Sequence, residues 1–91
     1  MLAGRRALGD HKLAAWADLG EAWLRNEFKG KWLTFHTSWD MSKRTISLRV
    51  FRIVPRTNPA HMYDEQLLFE VTEPADEFIT SATLTKIIMV S

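Results

Sequence analysis

Two segments of alternating sequence decide the fold: KWLTFHTSW at residues 31–39 and RTISLRVFRIV at residues 44–54. In each segment apolar and polar side chains alternate, which is the period of a β-strand with one buried face. The four residues between them begin with Asp40 and end with Lys43, and they have the composition of a turn. The two segments therefore predict an antiparallel hairpin.

An amphipathic helix is predicted before this hairpin. Asp10 can accept hydrogen bonds from the free amides of a first helical turn, and Gly30 is a natural stop. Since the apolar residues between them share one stripe at 100° per residue, the helix is expected to lie on the buried face of the sheet. The stripe consists of Leu13, Trp16, Ala17, Gly20, Trp23, Leu24 and Phe28.

Two further strands are predicted after a loop at residues 55–63, where Pro55 and Pro59 interrupt the periodicity. Residues 66–72 alternate and predict a third strand. Residues 78–90 are rich in β-branched side chains and predict a long fourth strand. The sequence thus predicts an α+β fold, in which an N-terminal amphipathic helix packs on a four-stranded, mostly antiparallel meander sheet.

The length and composition are those of one globular domain. The 91 residues are 46 % hydrophobic and 25 % charged, so we expect a single domain at residues 10–91. Residues 1–9 precede it as an N-terminal arm that is basic and free of acidic residues. This composition fits either a docking arm or the remnant of a targeting sequence, and we favour the docking arm.

The residues that the chain lacks narrow the class of protein. It has no cysteine, which excludes disulfides and thiol nucleophiles and favours an intracellular, cytoplasmic location, with an organelle left open by the basic arm. No apolar run reaches the roughly 18 residues that a membrane span requires. Standard phosphate-binding loops and zinc-protease motifs are also absent, so we expect no cofactor and no bound metal.

The formal net charge of +1 conceals an uneven distribution along the chain. Residues 1–56 contain 11 Lys and Arg against 5 Asp and Glu, whereas residues 57–91 contain 1 against 6. Adjacent strands that neutralise each other across the sheet would explain this division, and we favour that explanation. The alternative is a two-signed surface that binds a partner or associates head to tail.

Histidines supply the candidates for acid–base chemistry. His36 lies on the polar face of the first strand near Asp40, and His61 lies in the loop close to Asp64 and Glu65. Either imidazole could act as a general base, but no convincing second catalytic group accompanies it. We therefore assign no catalytic residue and interpret the two histidines as a half-exposed strand residue and a solvated loop residue.

The first candidate binding residues surround a tryptophan. Trp32 and Trp39 are an odd number of residues apart, so on a strand they point to opposite faces, and we expect Trp32 to face outward. An outward ring among cations could stack a nucleobase while the cations hold phosphate, or could anchor a protein interface. The residues of this surface are Trp32, His36, Lys43, Arg44, Arg49 and Arg52.

The C-terminal segment supplies the other candidates. As a strand, residues 87–90 are apolar on both faces, whereas an antiparallel sheet with one wet face should alternate. Ile87 and Met89 are therefore predicted to contact a protein partner or a second copy in a homodimer. Alternatively, the arm covers this strand through Leu2 and Leu8.

Together these patterns favour a non-enzymatic protein-interaction module. Such a small subunit, adaptor or inhibitor would dock its sheet face or edge on a partner macromolecule. The first alternative is a nucleic-acid-binding protein that uses the basic first hairpin and Trp32. The second alternative is a small enzyme with a histidine general base.

Overall fold

A computed structural model describes residues 10–91 of the chain, with the side chains of residues 10–12 left out. The predicted arm at residues 1–9 lies outside the described residues. The elements in chain order are α1 (Asp10–Glu27), β1 (Leu33–Asp40), β2 (Thr45–Val54), β3 (Asp64–Pro74), a 3₁₀ turn (Ala75–Glu77) and α2 (Ser81–Val90). The predicted α+β class is confirmed.

The sheet is a three-stranded antiparallel meander in the order β1-β2-β3. In the β1–β2 hairpin, Leu33 lies opposite Arg52 at one end and Asp40 lies opposite Thr45 at the other. The β2–β3 register runs from the Thr45 end to the Val54 end with one irregularity after Val50. The predicted first hairpin is thus confirmed.

The turn between β1 and β2 is held by one carboxylate. Asp40 Oδ1 accepts hydrogen bonds from the Ser42 amide at 3.0 Å, from the Ser42 hydroxyl at 2.6 Å and from the Lys43 amide at 3.2 Å. The Ser42 hydroxyl bond, followed by the Lys43 amide bond, lowers the pKa of Asp40. Asp40 therefore stabilises the turn, and its hydrogen bonds are made to Ser42 and Lys43 and not to His36.

The core lies on the face of the sheet that carries Phe35 and Val50, which we call the inner face. Strand alternation directs the side chains of these residues to this face, and both are fully buried. Helix α1 contributes Leu13 and Leu24 to the same buried cluster, and the C-terminal segment contributes Phe78. Ile87 of α2 belongs to this cluster as well, so both helices contribute to the core. We call the opposite face of the sheet, which carries Arg49, the outer face.

The prediction of a fourth strand is wrong, because residues 81–90 form helix α2. Thr80 caps this helix: its hydroxyl accepts a hydrogen bond from the Thr83 amide at 3.2 Å. Glu73, at the end of β3, accepts hydrogen bonds from the Thr80 amide and from the Thr83 hydroxyl. These tertiary contacts at the first turn outweigh the strand preference of the β-branched side chains.

The C-terminal apolar residues follow a helical period. Thr83 and Ile87, four residues apart, are buried, whereas Ile88 and Met89 are exposed. The apparent two-sided apolar strand is therefore one buried helix face and one exposed helix face. Ile87 belongs to the core and does not face a partner.

Candidate functional site

Trp32 occupies an unusual backbone position between α1 and β1. Its φ is +60°, two residues after Gly30 at +84°, and its side chain is 71 % exposed. The left-handed conformation costs roughly 1–2 kcal/mol for a residue with a Cβ atom. The Trp32 carbonyl accepts a hydrogen bond from the Ile53 amide at 2.8 Å, which fixes the residue beside β2. The left-handed backbone conformation and this hydrogen bond together hold the indole outward.

Trp32 lines two surface cavities. The larger, here called the basic cavity, has a volume of about 530 Å³. The smaller cavity has a volume of about 310 Å³. The basic cavity is lined by Lys31, Trp32, Arg52, Ile53, Val54, Pro55, Arg56, Met62 and Tyr63. The smaller one is lined by Arg25, Phe28, Lys29, Gly30, Trp32, Leu33 and Ile53.

Both cavities are positively charged. Of the described lysines and arginines, those with a carboxylate within 4.0 Å are Arg25, paired with Glu21, and Arg49, paired with Glu70. Four other cations line the two cavities without such a partner among the side chains of residues 13–91: Lys29, Lys31, Arg52 and Arg56. The end of the sheet at Trp32 therefore carries a local excess of positive charge.

The two cavity arginines are positioned by carbonyl groups. Arg52 Nη2 donates to the Val90 carbonyl at 2.9 Å, at the end of α2. Arg56 Nη1 donates to the carbonyls of Pro59 and His61, at 3.2 and 3.0 Å. Since a carbonyl fixes the guanidinium without neutralising it, both arginines keep their charge and several free N–H groups.

The loop that follows β2 forms the far wall of the basic cavity. Asp64 holds this loop, because its Oδ2 accepts hydrogen bonds from the Thr57 amide and hydroxyl, both at 2.8 Å. The loop then presents Met62, 91 % exposed, and Tyr63, 46 % exposed. A second exposed aromatic ring therefore faces the same cavity as Trp32.

A third cavity, here called the histidine cavity, shares Met62 and Tyr63 with the basic cavity. It has a volume of about 500 Å³, and its lining also includes His61, Asp64 and Glu65. His61 Nδ1 lies 2.9 Å from Asp64 Oδ1. Hydrogen bonds from His61 and Thr57 lower the pKa of Asp64 to about 2. The loop histidine is thus oriented by Asp64, and it is also 55 % exposed, so it is the solvated loop residue that the sequence suggested.

His36 also has a carboxylate partner, but a different one from the residue near it in sequence. Its Nε2 lies 3.0 Å from Glu65 Oε2, on β3, and its ring meets Phe51 edge to face at 5.1 Å. The pairing of His36 with Asp40 that sequence proximity suggested is therefore absent. The two histidine–carboxylate pairs lie near the same end of the sheet, because Glu65 lines the histidine cavity.

The predicted binding residues on the hairpin are not brought together. Trp32 and Arg52 share the basic cavity. Lys43 and Arg44 lie in the turn at the other end of the hairpin, about 23 Å away at 3.3 Å per residue. Arg49 lies midway on the outer face, where it lies opposite His36 and pairs with Glu70 at 3.8 Å.

The C-terminal candidates are also divided. Ile87 is fully buried, whereas Met89 is 80 % exposed on α2 next to Ile88, which is 62 % exposed. An exposed strand surface containing Ile87 and Met89 is therefore not formed. The apolar residues that α2 presents to solvent are Ile88 and Met89.

Sequence reasoning did not assign Met62 and Tyr63 to the binding surface around Trp32. The signal that could have found them is the hairpin register: if Trp32 precedes β1, antiparallel pairing places it beside the end of β2 and the loop that follows. The register therefore predicts that the loop at residues 55–63 lies next to the indole of Trp32.

Metal-binding clusters and membrane helices are not found in the described part of the chain. Among the side chains of residues 13–91, no three His, Asp or Glu are grouped so that they could hold a metal ion. No helix there is long and apolar enough to cross a membrane. No family model, curated protein or solved structure matches the chain significantly.

Proposed function

We propose that the chain binds single-stranded nucleic acid at the Trp32 end of its sheet. The observation that carries this proposal is the exposed indole, which lines two cavities together with Lys29, Lys31, Arg52 and Arg56. These four cations have no carboxylate partner among the side chains described, those of residues 13–91. Aromatic rings set among cations are how proteins bind single strands without reading their sequence. Because a cysteine-free chain needs no oxidising compartment, we place this binding inside the cell.

Base stacking would be supplied by two rings. Trp32 and Tyr63 are both exposed and line one cavity, so two bases of one strand can each meet an aromatic face. Such stacking contributes about 1–3 kcal/mol per base and tolerates any base, because every base has a π-face. The site therefore favours unpaired bases over a stacked duplex.

Phosphate binding would be supplied by the four cations. Each cation that neutralises a phosphate of a single strand contributes about −0.7 to the slope of log affinity against log salt, so four contribute about −3. The small number of cations limits the footprint to a few nucleotides. Glu70 on the outer face limits it further, because a carboxylate repels phosphate.

The test is fluorescence anisotropy with labelled single-stranded and duplex oligonucleotides at two salt concentrations. We expect tighter binding of the single strand, and weaker binding of Trp32→Ala. Trp39→Ala is the matched control, because Trp39 is also exposed, at 43 %, but lies at the other end of β1. Equal losses for the two variants, or no binding by the wild type at low salt, would contradict the proposal.

A second function, docking on a protein partner, is favoured by helix α2. Ile88 and Met89 are adjacent, exposed by 62 % and 80 %, and apolar. Large exposed apolar side chains are common at protein interfaces. Sedimentation of the wild type and of the double variant Ile88→Lys, Met89→Lys tests this function, because self-association through α2 must disappear in the variant. A strictly monomeric wild type would exclude a homodimer.

A further inference from the structure

We propose that the histidine cavity cleaves single-stranded RNA, with His61 as the general base that removes a proton from the ribose 2′-hydroxyl. This inference rests on the proposed nucleic-acid binding, because the basic cavity would deliver the strand. The two cavities share Met62 and Tyr63 as a wall. A strand stacked on Trp32 and Tyr63 therefore continues directly toward His61.

The tautomer of His61 follows from its partner. The pKa of Asp64 is lowered to about 2 by its hydrogen bonds with His61 and Thr57, so the carboxylate is ionised at neutral pH and can only accept hydrogen bonds. The proton in the 2.9 Å contact must then belong to His61 Nδ1. A neutral His61 consequently has its lone pair on Nε2, which is the form that a general base requires.

The positions of the charges suit a phosphodiester substrate. Arg56 Nη1 donates to the backbone carbonyl of His61 at 3.0 Å, so a guanidinium with free N–H groups lies next to this residue, in the lining of the adjoining basic cavity. Asp64 and Glu65, the carboxylates of the cavity, are each engaged by donors, Asp64 by Thr57 and His61 and Glu65 by His36. Arg56 can therefore hold a phosphate oxygen close to His61.

The nucleophile points to RNA as the substrate class. The chain has no cysteine, and among the described residues no hydroxyl is hydrogen-bonded to the His61 ring. The nucleophile is then either water or a hydroxyl group of the substrate. Ribose carries a hydroxyl beside each phosphate, so we assign the 2′-hydroxyl, and an attack by water would instead cut DNA as well and leave no cyclic phosphate. His61 Nε2 takes the 2′-hydroxyl proton as O2′ bonds to phosphorus. The bond from phosphorus to O5′ breaks, and O5′ takes a proton from water. The products are a 2′,3′-cyclic phosphate and a 5′-hydroxyl end.

The experiment incubates the protein with a labelled oligoribonucleotide and with the same sequence as DNA, in the presence of a metal chelator, and identifies the ends by mass spectrometry. We expect cyclic-phosphate ends from RNA, while the DNA binds and stays intact. His61→Gln should slow cleavage by about 100-fold or more, the usual contribution of a general base. Lys43→Ala, at the far end of the β1–β2 hairpin, is the control and should keep the wild-type rate.

A variant that lacks the imidazole of His61 separates the loss of the general base from damage to the fold. In His61→Gly, added imidazole should restore part of the cleavage rate, because a free base can enter the space that the side chain leaves. A wild type that binds RNA without cutting it overturns this inference and leaves the proposed binding intact. An unchanged rate in identically prepared His61→Gln also overturns it, since the activity then comes from elsewhere. Absence of all binding would overturn both proposals.

Discussion

The Ile53 amide donates a hydrogen bond of 2.8 Å to the Trp32 carbonyl, one residue before β1 begins. This bond continues the β1–β2 ladder into the turn after α1, and it places Trp32 beside the loop that follows β2. The sheet thereby brings a residue from the start of the hairpin next to Tyr63, 31 positions further along the chain. Trp32 and Tyr63 line the same cavity because this register brings them together.

Replacing Trp32 with glycine should separate stability from binding. Because Trp32 has a φ of +60°, Trp32→Gly removes a left-handed strain of about 1–2 kcal/mol while losing the packing of a mostly exposed side chain. We expect the urea midpoint to stay the same or rise. Affinity for single strands should fall by about 1–3 kcal/mol, measured by anisotropy, through lost stacking. A large drop in the urea midpoint would show that the indole is structural.

Removing charge at the Trp32 end should flatten the salt dependence of binding. Lys29→Ala and Lys31→Ala together should reduce the slope of log affinity against log salt by about 1.4, at about 0.7 per phosphate contact. Lys43→Ala is the matched control, because this lysine lies at the far end of the hairpin. A salt titration of the three proteins measures the slopes. Equal flattening by Lys43→Ala would place the nucleic acid on the whole hairpin instead.

Glu73 should be needed for the first turn of α2. It is 6 % exposed, and its Oε2 accepts hydrogen bonds from the Thr80 amide and hydroxyl and from the Thr83 hydroxyl. Glu73→Ala leaves buried donors without an acceptor and should lower the free energy of unfolding by about 1–3 kcal/mol. Urea unfolding followed by circular dichroism measures this. Glu70→Ala, on the exposed outer face, serves as the control and should change little.

The helical character of the C-terminal segment can be tested with two neighbouring side chains. Ile87→Ala should lower the free energy of unfolding by about 2–5 kcal/mol, because the side chain is fully buried. Met89→Ala should have little effect, because Met89 is 80 % exposed. On a strand both residues would lie on one face and respond alike, so similar urea midpoints for the two variants would contradict the helix.

The sequence was sufficient for the elements whose signal is local. The hairpin followed from the alternation at residues 31–39 and 44–54, which the register of the sheet repeats. Helix α2 was missed because its evidence is not local: its first turn is stabilised by Glu73, ten residues before Thr83, and its β-branched content favours a strand. Periodicity did contain a clue, since Thr83 and Ile87 are spaced for one helix face.

The candidate site was only partly accessible from the sequence. An outward Trp32 was expected from its position in a strand, whereas the structure exposes it through a left-handed turn just before the strand. The cations were grouped by proximity in sequence, but a hairpin separates its turn from its ends, so Lys43 and Arg52 lie far apart. To place Tyr63 beside Trp32, one must know which residues of β1 and β2 pair with each other, and the prediction of a hairpin alone does not give this register.

The last prediction concerns the opening, at low pH, of the loop that Asp64 holds. The pKa of Asp64 in the fold is about 2 and its ordinary value is 3.8, so ionised Asp64 stabilises the folded loop. For a lowered pKa, the stabilisation is complete above the ordinary value and is lost as the pH falls through the folded one. The loop should therefore stay closed at pH 5 and open between about pH 4 and pH 2.

Tyr63 fluorescence and amide exchange at Thr57, whose N–H donates to Asp64, report this opening. In Asp64→Ala, which has no side-chain acceptor, the Thr57 amide should exchange rapidly even at neutral pH and show no transition in acid. Asp40→Ala is the matched control, because Asp40 holds the distant turn and its loss should leave Thr57 protected. If Thr57 stayed protected at pH 2, or in Asp64→Ala, the loop would be held by other contacts, and the orientation of His61 would not depend on this carboxylate.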